Sequence, residues 1–160
     1  EDNYLSLYRQ LGILAAQNQA RQWRLRFHPV QTHSSQIMQF FNSTNCIIDN
    51  KEELSIQIKG ALAVLGICSQ TSYEVITCKK PLFLIRTNSM SISTEFDKEF
   101  SNHIIDIAEL GCALNNFQYE TEIEKSKNTL NSPNLSIAPF SHDEVRQKIC
   151  QALMEIKDEQ

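Results

Sequence analysis

Apolar positions along this 160-residue chain recur at two spacings, one helical and one alternating. Between Thr94 and Phe117, the residues Phe96, Phe100, His103, Ile104, Ile107, Leu110, Leu114 and Phe117 step by three and four. That spacing predicts one amphipathic α-helix, with Thr94 as N-cap and Glu95, Asp97 and Glu99 near the positive end of its dipole. A second helix is predicted over residues 3–20 from Tyr4, Leu7, Tyr8, Leu11, Leu14 and Ala15, with Asp2 or Asn3 as cap and Gly12 as a weak point. A third is predicted over Asn50–Gly66, where Asn50 and Glu53 have capping-box spacing, Leu54, Ile58, Ala61, Leu62 and Leu65 share a face, and Gly66 is the stop. A strand through Leu54, Ile56 and Ile58 fits fewer residues. Ser34–Asn42 reads as a short helix.

The alternating pattern appears at Gln22–His28, where Trp23, Leu25 and Phe27 interleave with Arg24 and Arg26, predicting a half-buried strand ended by Pro29. Cys46–Ile48 reads as a short buried strand. Ser72–Cys78 and Pro81–Thr87 are rich in β-formers and flank Lys79-Lys80, which predicts a hairpin, with Met90–Ile92 as a third short strand. Residues after Phe117 lack a clean stripe, and 128–139 are polar and proline-punctuated. Ser141 and Glu144 then have capping-box spacing, and Val145, Ile149, Leu153 and Ile156 form a narrow helical stripe. The expected fold is α+β: a small, mainly antiparallel sheet covered by helices on one face, with an appended C-terminal amphipathic helix. The expected organisation is an α+β domain over 1–120, a linker or irregular segment over 121–140, and a helix over 141–160.

Charge adds one feature. Residues 1–20 carry one basic and two acidic groups, 21–86 carry eight and four, and 87–160 carry six and thirteen, so the net charge of −4 divides into −1, +4 and −7. A basic centre joined to an acidic C-terminal half bears on partners and not on fold. Five scattered cysteines without a CxxC pair suit a reducing compartment, and no apolar run is long enough to span a bilayer. The expected location is therefore intracellular, cytoplasmic or nuclear, away from the membrane. Position 1 is Glu, which suggests a processed chain or part of a longer one.

Candidate chemistry is sparse. The sequence holds no Walker loop, GxGxxG, HExxH or GxSxG, and its four glycines leave little scope for a phosphate-cradling loop. His28, His33 and Cys46 are too loosely grouped to predict a metal site, and His103, on an apolar face, reads as a partly buried, hydrogen-bonded histidine. No catalytic residue, metal or cofactor is expected. Arg24, Arg26, Lys79, Lys80 and Arg86 would form a basic binding surface if strand 22–28 and the 72–87 hairpin shared a sheet. The candidate partner helix is Val145, Ile149, Leu153 and Ile156. The sequence thus points to a non-enzymatic protein-protein interaction module, a subunit or scaffold whose partner is a protein with an acidic surface or a second copy of the chain. The alternative is a nucleic-acid-binding accessory protein using a basic sheet face.

Overall fold

A computed structural model describes residues 2–27, 35–67, 69–86 and 94–132. Helices and strands are mixed along the chain, and every strand pairing among the described residues is parallel. The order is α1 (Asp2–Gln17), β1 (Trp23–Leu25), α2 (Ser35–Gln39), β2 (Cys46–Ile48), α3 (Leu54–Gly60), β3 (Val64–Gly66), α4 (Thr71–Thr77), β4 (Leu82–Arg86), α5 (Thr94–Glu99), a 3-10 turn (Ser101–His103), β5 (Ile104–Asp106), α6 (Ile107–Asn115) and α7 (Tyr119–Leu130). β1 and β2 form one sheet, and β3, β4 and β5 form another in that spatial order.

This overturns the expected single antiparallel sheet, and three local readings explain why. The stretch 72–78 is a helix, not the first arm of a hairpin. Its buried residues Ser72, Val75 and Ile76 follow helical spacing. A run of seven apolar and polar residues fits either period, and packing against the sheet decides between them. Lys79-Lys80 is accordingly a helix stop. Lys79 sits at φ 52°, and the amides of Lys79 and Lys80 donate to Ile76 O (2.8 Å) and Val75 O (3.1 Å), the two bonds of a Schellman motif. A helix between β3 and β4 then makes them parallel, because it returns the chain to the amino end of the sheet.

The predicted helix 50–66 divides. α3 ends at Gly60, Ala61 turns extended (φ −76°, ψ 146°), and Val64–Gly66 pairs with Leu82–Leu84. Asn50 does not cap α3, whose N-cap is Glu53. The predicted helix 94–117 divides as well. Its stripe consists of two helical stripes joined through β5. Phe96 and Phe100 enter the apolar cluster containing Ile58, Val75, Ile76, Leu82 and Leu84, whereas Leu110 and Leu114 join Leu7, Phe83 and Ile85. The two clusters lie on opposite faces of β4, whose alternate residues Leu82 and Leu84 (1% exposed each) and Phe83 and Ile85 (5% and 3%) are all buried. Helices therefore cover both faces of this sheet instead of one, as continuous apolar runs in parallel strands require.

A third cluster, Tyr8, Ala15, Phe27, Ile37 and Phe41, joins α1 and α2 to the β1–β2 sheet. Leu11 and Trp23 pack against both this cluster and the one around Phe83. Gly12 is needed where α1 meets α2, because a Cβ there would lie 2.4 Å from Phe40 O. α7 occupies the first ten residues of the segment expected to be irregular, 121–130. The predicted strand Met90–Ile92 and the helix bearing Val145, Ile149, Leu153 and Ile156 lie outside the described residues. Among the described residues, no helix is long and apolar enough to cross a membrane.

Candidate functional site

Parallel pairing gives each sheet two chemically different edges. The five candidate basic residues divide between them. Arg24 lies within β1, Arg26 one residue beyond its carboxyl end, and Arg86 at the carboxyl end of β4. Lys79 and Lys80 precede β4 and so lie at its amino end. Six residues of extended chain, at about 3.3 Å each, put Lys80 and Arg86 roughly 20 Å apart along β4. The joint sheet that would have gathered all five is absent, since β1 and β4 belong to different sheets among the described residues.

Several of these cations already have partners. Lys80 Nζ donates to Ala61 O at 3.0 Å. Arg86 pairs with Asp97 at 2.7 Å, both side chains being more than two-fifths exposed. Arg24 pairs with Glu52 and, at 3.7 Å, with Asp49. Exposed pairs of this kind contribute about 0–1 kcal/mol each.

Among the described residues, the polar network at the carboxyl ends of β1 and β2 is the most developed. The strands pair Trp23 with Cys46 and Leu25 with Ile48. The ladder then continues by Asp49 N donating to Leu25 O (3.1 Å) and Phe27 N donating to Asn50 Oδ1 (3.0 Å). Asp49 Oδ1 accepts from the amides of Lys51 (2.9 Å) and Glu52 (3.2 Å), an Asx turn that redirects the chain toward α3. Those two amides, Lys51 first, with the nearby Arg24 guanidinium, hold the Asp49 carboxyl below its ordinary value. Gln57 reaches back from α3. Its Nε2 donates to Asp49 O (3.0 Å), and its Oε1 accepts from Arg26 Nη1 (3.2 Å). Arg26 Nη1 also donates to Glu52 O at 2.6 Å. Arg26 is thus half-buried and bonded to two neutral oxygens, and it forms no ion pair among the described residues.

Asp49, Glu52 and Gln57 are not singled out by the sequence, and Asn50 is read there only as a helix cap. The Asp-Asn pair after an apolar run is a turn signal, but the capping-box reading absorbed it. Two other groups are structural in their surroundings. His103 is 3% exposed, with Nδ1 3.3 Å from Leu82 O and Nε2 2.9 Å from Thr129 Oγ1, and burial lowers its pKa. Burial raises that of the Cys46 thiol, which makes it a poor nucleophile. Among the described residues, no group of three His, Cys, Asp or Glu side chains is placed to hold a metal ion. The partner-helix residues Val145, Ile149, Leu153 and Ile156 lie outside the described residues. No family model, curated protein or solved structure matches this chain.

Proposed function

We propose that this chain is a binding domain for a small anionic ligand, taken at the carboxyl ends of β1 and β2 with Arg26 as the group that holds the anion. In open α/β sheets, ligands bind outside the carboxyl ends of the strands where the strand order reverses; β1–β2 shares the carboxyl-end loops with such sites, without that reversal among the described residues. The observation that carries the reading is the state of Arg26. Among the described residues its bonds run from Nη1 to neutral oxygens and its charge has no carboxylate partner. Nη2 and Nε would serve for planar, bidentate recognition of a carboxylate or phosphate. Gln57 and Glu52 O fix the guanidinium in place before the ligand arrives, which lowers the ordering cost of binding. Calorimetric titration with inorganic pyrophosphate tests this. Saturable binding that weakens about tenfold or more in Arg26→Ala and is unchanged in Lys80→Ala is expected. Absence of binding, or equal loss in both variants, would refute it.

A second reading, the protein-interaction module, is favoured by a different observation. Ile47, Ile56 and Leu62 are large apolar side chains exposed by 43%, 53% and 58%. Ile47 stands on β2, which pairs only with β1 among the described residues, so β2 offers an edge to a partner strand. Concentration-dependent sedimentation of the protein and of Ile47→Lys distinguishes this reading. Self-association that Ile47→Lys abolishes supports it, and a monomer at all concentrations removes the homo-oligomeric form. The nucleic-acid reading has less support, because the cations it needs do not share a sheet and Arg24 and Arg86 are paired internally.

A further inference from the structure

We propose that His103 is the latch of a pH-sensitive switch that releases α7 from the β3–β4–β5 sheet when the solution turns mildly acidic. The latch is geometric. His103 Nδ1 faces the carbonyl of Leu82, which can only accept, so the neutral ring carries its proton on Nδ1. Nε2 is then the acceptor for the Thr129 hydroxyl, which sits on α7. A second proton on the ring must go onto Nε2, which turns that hydroxyl from donor to acceptor and leaves a cation at a site that is 3% exposed. A buried cation is costly, so the pocket favours whichever opening lets the ring reach water.

The walls of the pocket differ in strength. Leu82 belongs to β4, the central strand, with apolar clusters on both faces. Phe100 is 0% exposed and stacks on Phe96. α7 is held differently. Its buried residues are Ser126 and Thr129, both hydroxyl-bearing, and Ser126 Oγ donates to Lys80 O at 2.7 Å. Leu130 is the α7 residue that packs against an apolar cluster among the described residues. α7 also lies along α4, but a helix that buries hydroxyls and brings one leucine to an apolar cluster opens at lower cost than a core strand. α7 is therefore the wall that gives.

The charged groups around the ring do not rescue the cation. On α7, Glu122 favours it and Lys125 opposes it, and the two pair with each other at 2.7 Å. Lys80, before β4, turns its Nζ to Ala61 O. Tyr73 on α4 and Glu99 on α5 bond to each other. If the docked ring stays neutral and the released ring titrates at its ordinary value of 6.5, the open population grows by at most about 30-fold between pH 7.5 and pH 5.

Hydrogen exchange read by mass spectrometry across this pH range, corrected for the intrinsic pH dependence of exchange, tests the proposal on the whole chain. Peptides from 119–130 should lose protection selectively on acidification, by up to that factor, while peptides from 82–86 keep theirs. His103→Gln should flatten the response of α7. Lys125→Gln should reduce it by removing a charge that opposes the cation and freeing Glu122, which favours it. Protection of α7 that is unchanged with pH, that falls in step with β4, or that falls equally in His103→Gln would overturn it.

Discussion

Gly12 and Gly60 receive the same substitution with opposite expected signs. In an exposed helix, Gly→Ala stabilises by about 1 kcal/mol through backbone entropy. Gly60, the last residue of α3, has nothing within 4 Å of the position an added Cβ would take, so Gly60→Ala should realise most of that gain. Gly12 lies mid-helix in α1, where its Cβ would meet Phe40 O at 2.4 Å, Phe40 Cβ at 3.0 Å and Phe40 C at 3.1 Å. The nearest of these is backbone, so no side-chain rotation relieves it. Moving that oxygen from 2.4 to 3.0 Å requires α1 and α2 to part by about 0.6 Å. A gap of this size forfeits roughly a quarter to a half of each dispersion contact across it. The contacts at stake are those of Tyr8, Ala15, Ile37 and Phe41, all buried between the two helices and the β1–β2 sheet. Overpacking costs about 1–3 kcal/mol, and a backbone collision belongs at the upper end. Offset by the helical gain, Gly12→Ala should destabilise by about 2 kcal/mol. Urea denaturation should show a lower midpoint at unchanged slope for Gly12→Ala and a higher one for Gly60→Ala. A Gly12→Ala protein as stable as the parent would refute the close crossing of α1 over α2.

Lys79→Gly should stabilise by about 0.5–1 kcal/mol in thermal melts, because a left-handed residue with a Cβ carries about 1–2 kcal/mol of strain that glycine avoids at some entropic cost. Phe100→Ala should cost about 3–5 kcal/mol by the same assay, since the ring is fully buried and stacks on Phe96 at 4.3 Å between centroids. Global stability should also fall below pH 6.5. The folded His103 binds a proton less readily than the unfolded one, so its contribution is present above 6.5 and is lost as pH falls toward the lower folded value, by at most about 1.4 kcal/mol per pH unit. Denaturation at stepped pH should show that decline in the parent and not in His103→Gln.

The elements that were legible in the sequence are those whose pattern admits one period. Trp23, Leu25 and Phe27 alternate with Arg24 and Arg26, and they form β1 and its continuation; Leu7, Tyr8 and Ala15 repeat helically and are buried on α1. Where a short apolar run fits both periods, the chain alone does not decide. Val75-Ile76 reads equally as strand or helix, and it is the existing sheet that selects α4. Phe96 and Leu110 sit on one predicted stripe because β5, three residues long, preserves the phase between two helices that pack on opposite faces. As a strand, 72–78 would lie antiparallel to 81–87; as a helix it carries the chain over from β3 to β4 and leaves those two parallel. The basic surface is legible as a set of residues and not as a place: Lys79-Lys80 and Arg86 flank β4 and so fall at its opposite ends, and Arg24 and Arg26 belong to the other sheet. The Asp49–Gln57 network is not legible in the sequence, because its contacts join residues 24–27 to 49–57 through side chains with no spacing rule.

Binding at the carboxyl end of the β1–β2 sheet, as proposed, would leave a local signature. Amide chemical-shift mapping during a pyrophosphate titration reads that signature residue by residue. Saturable perturbations confined to Phe27 and the amides of Asn50, Lys51, Glu52 and Gln57 are the predicted result. Perturbations centred on Ala61, Lys79 and Lys80 at the amino edge, or none, would contradict it.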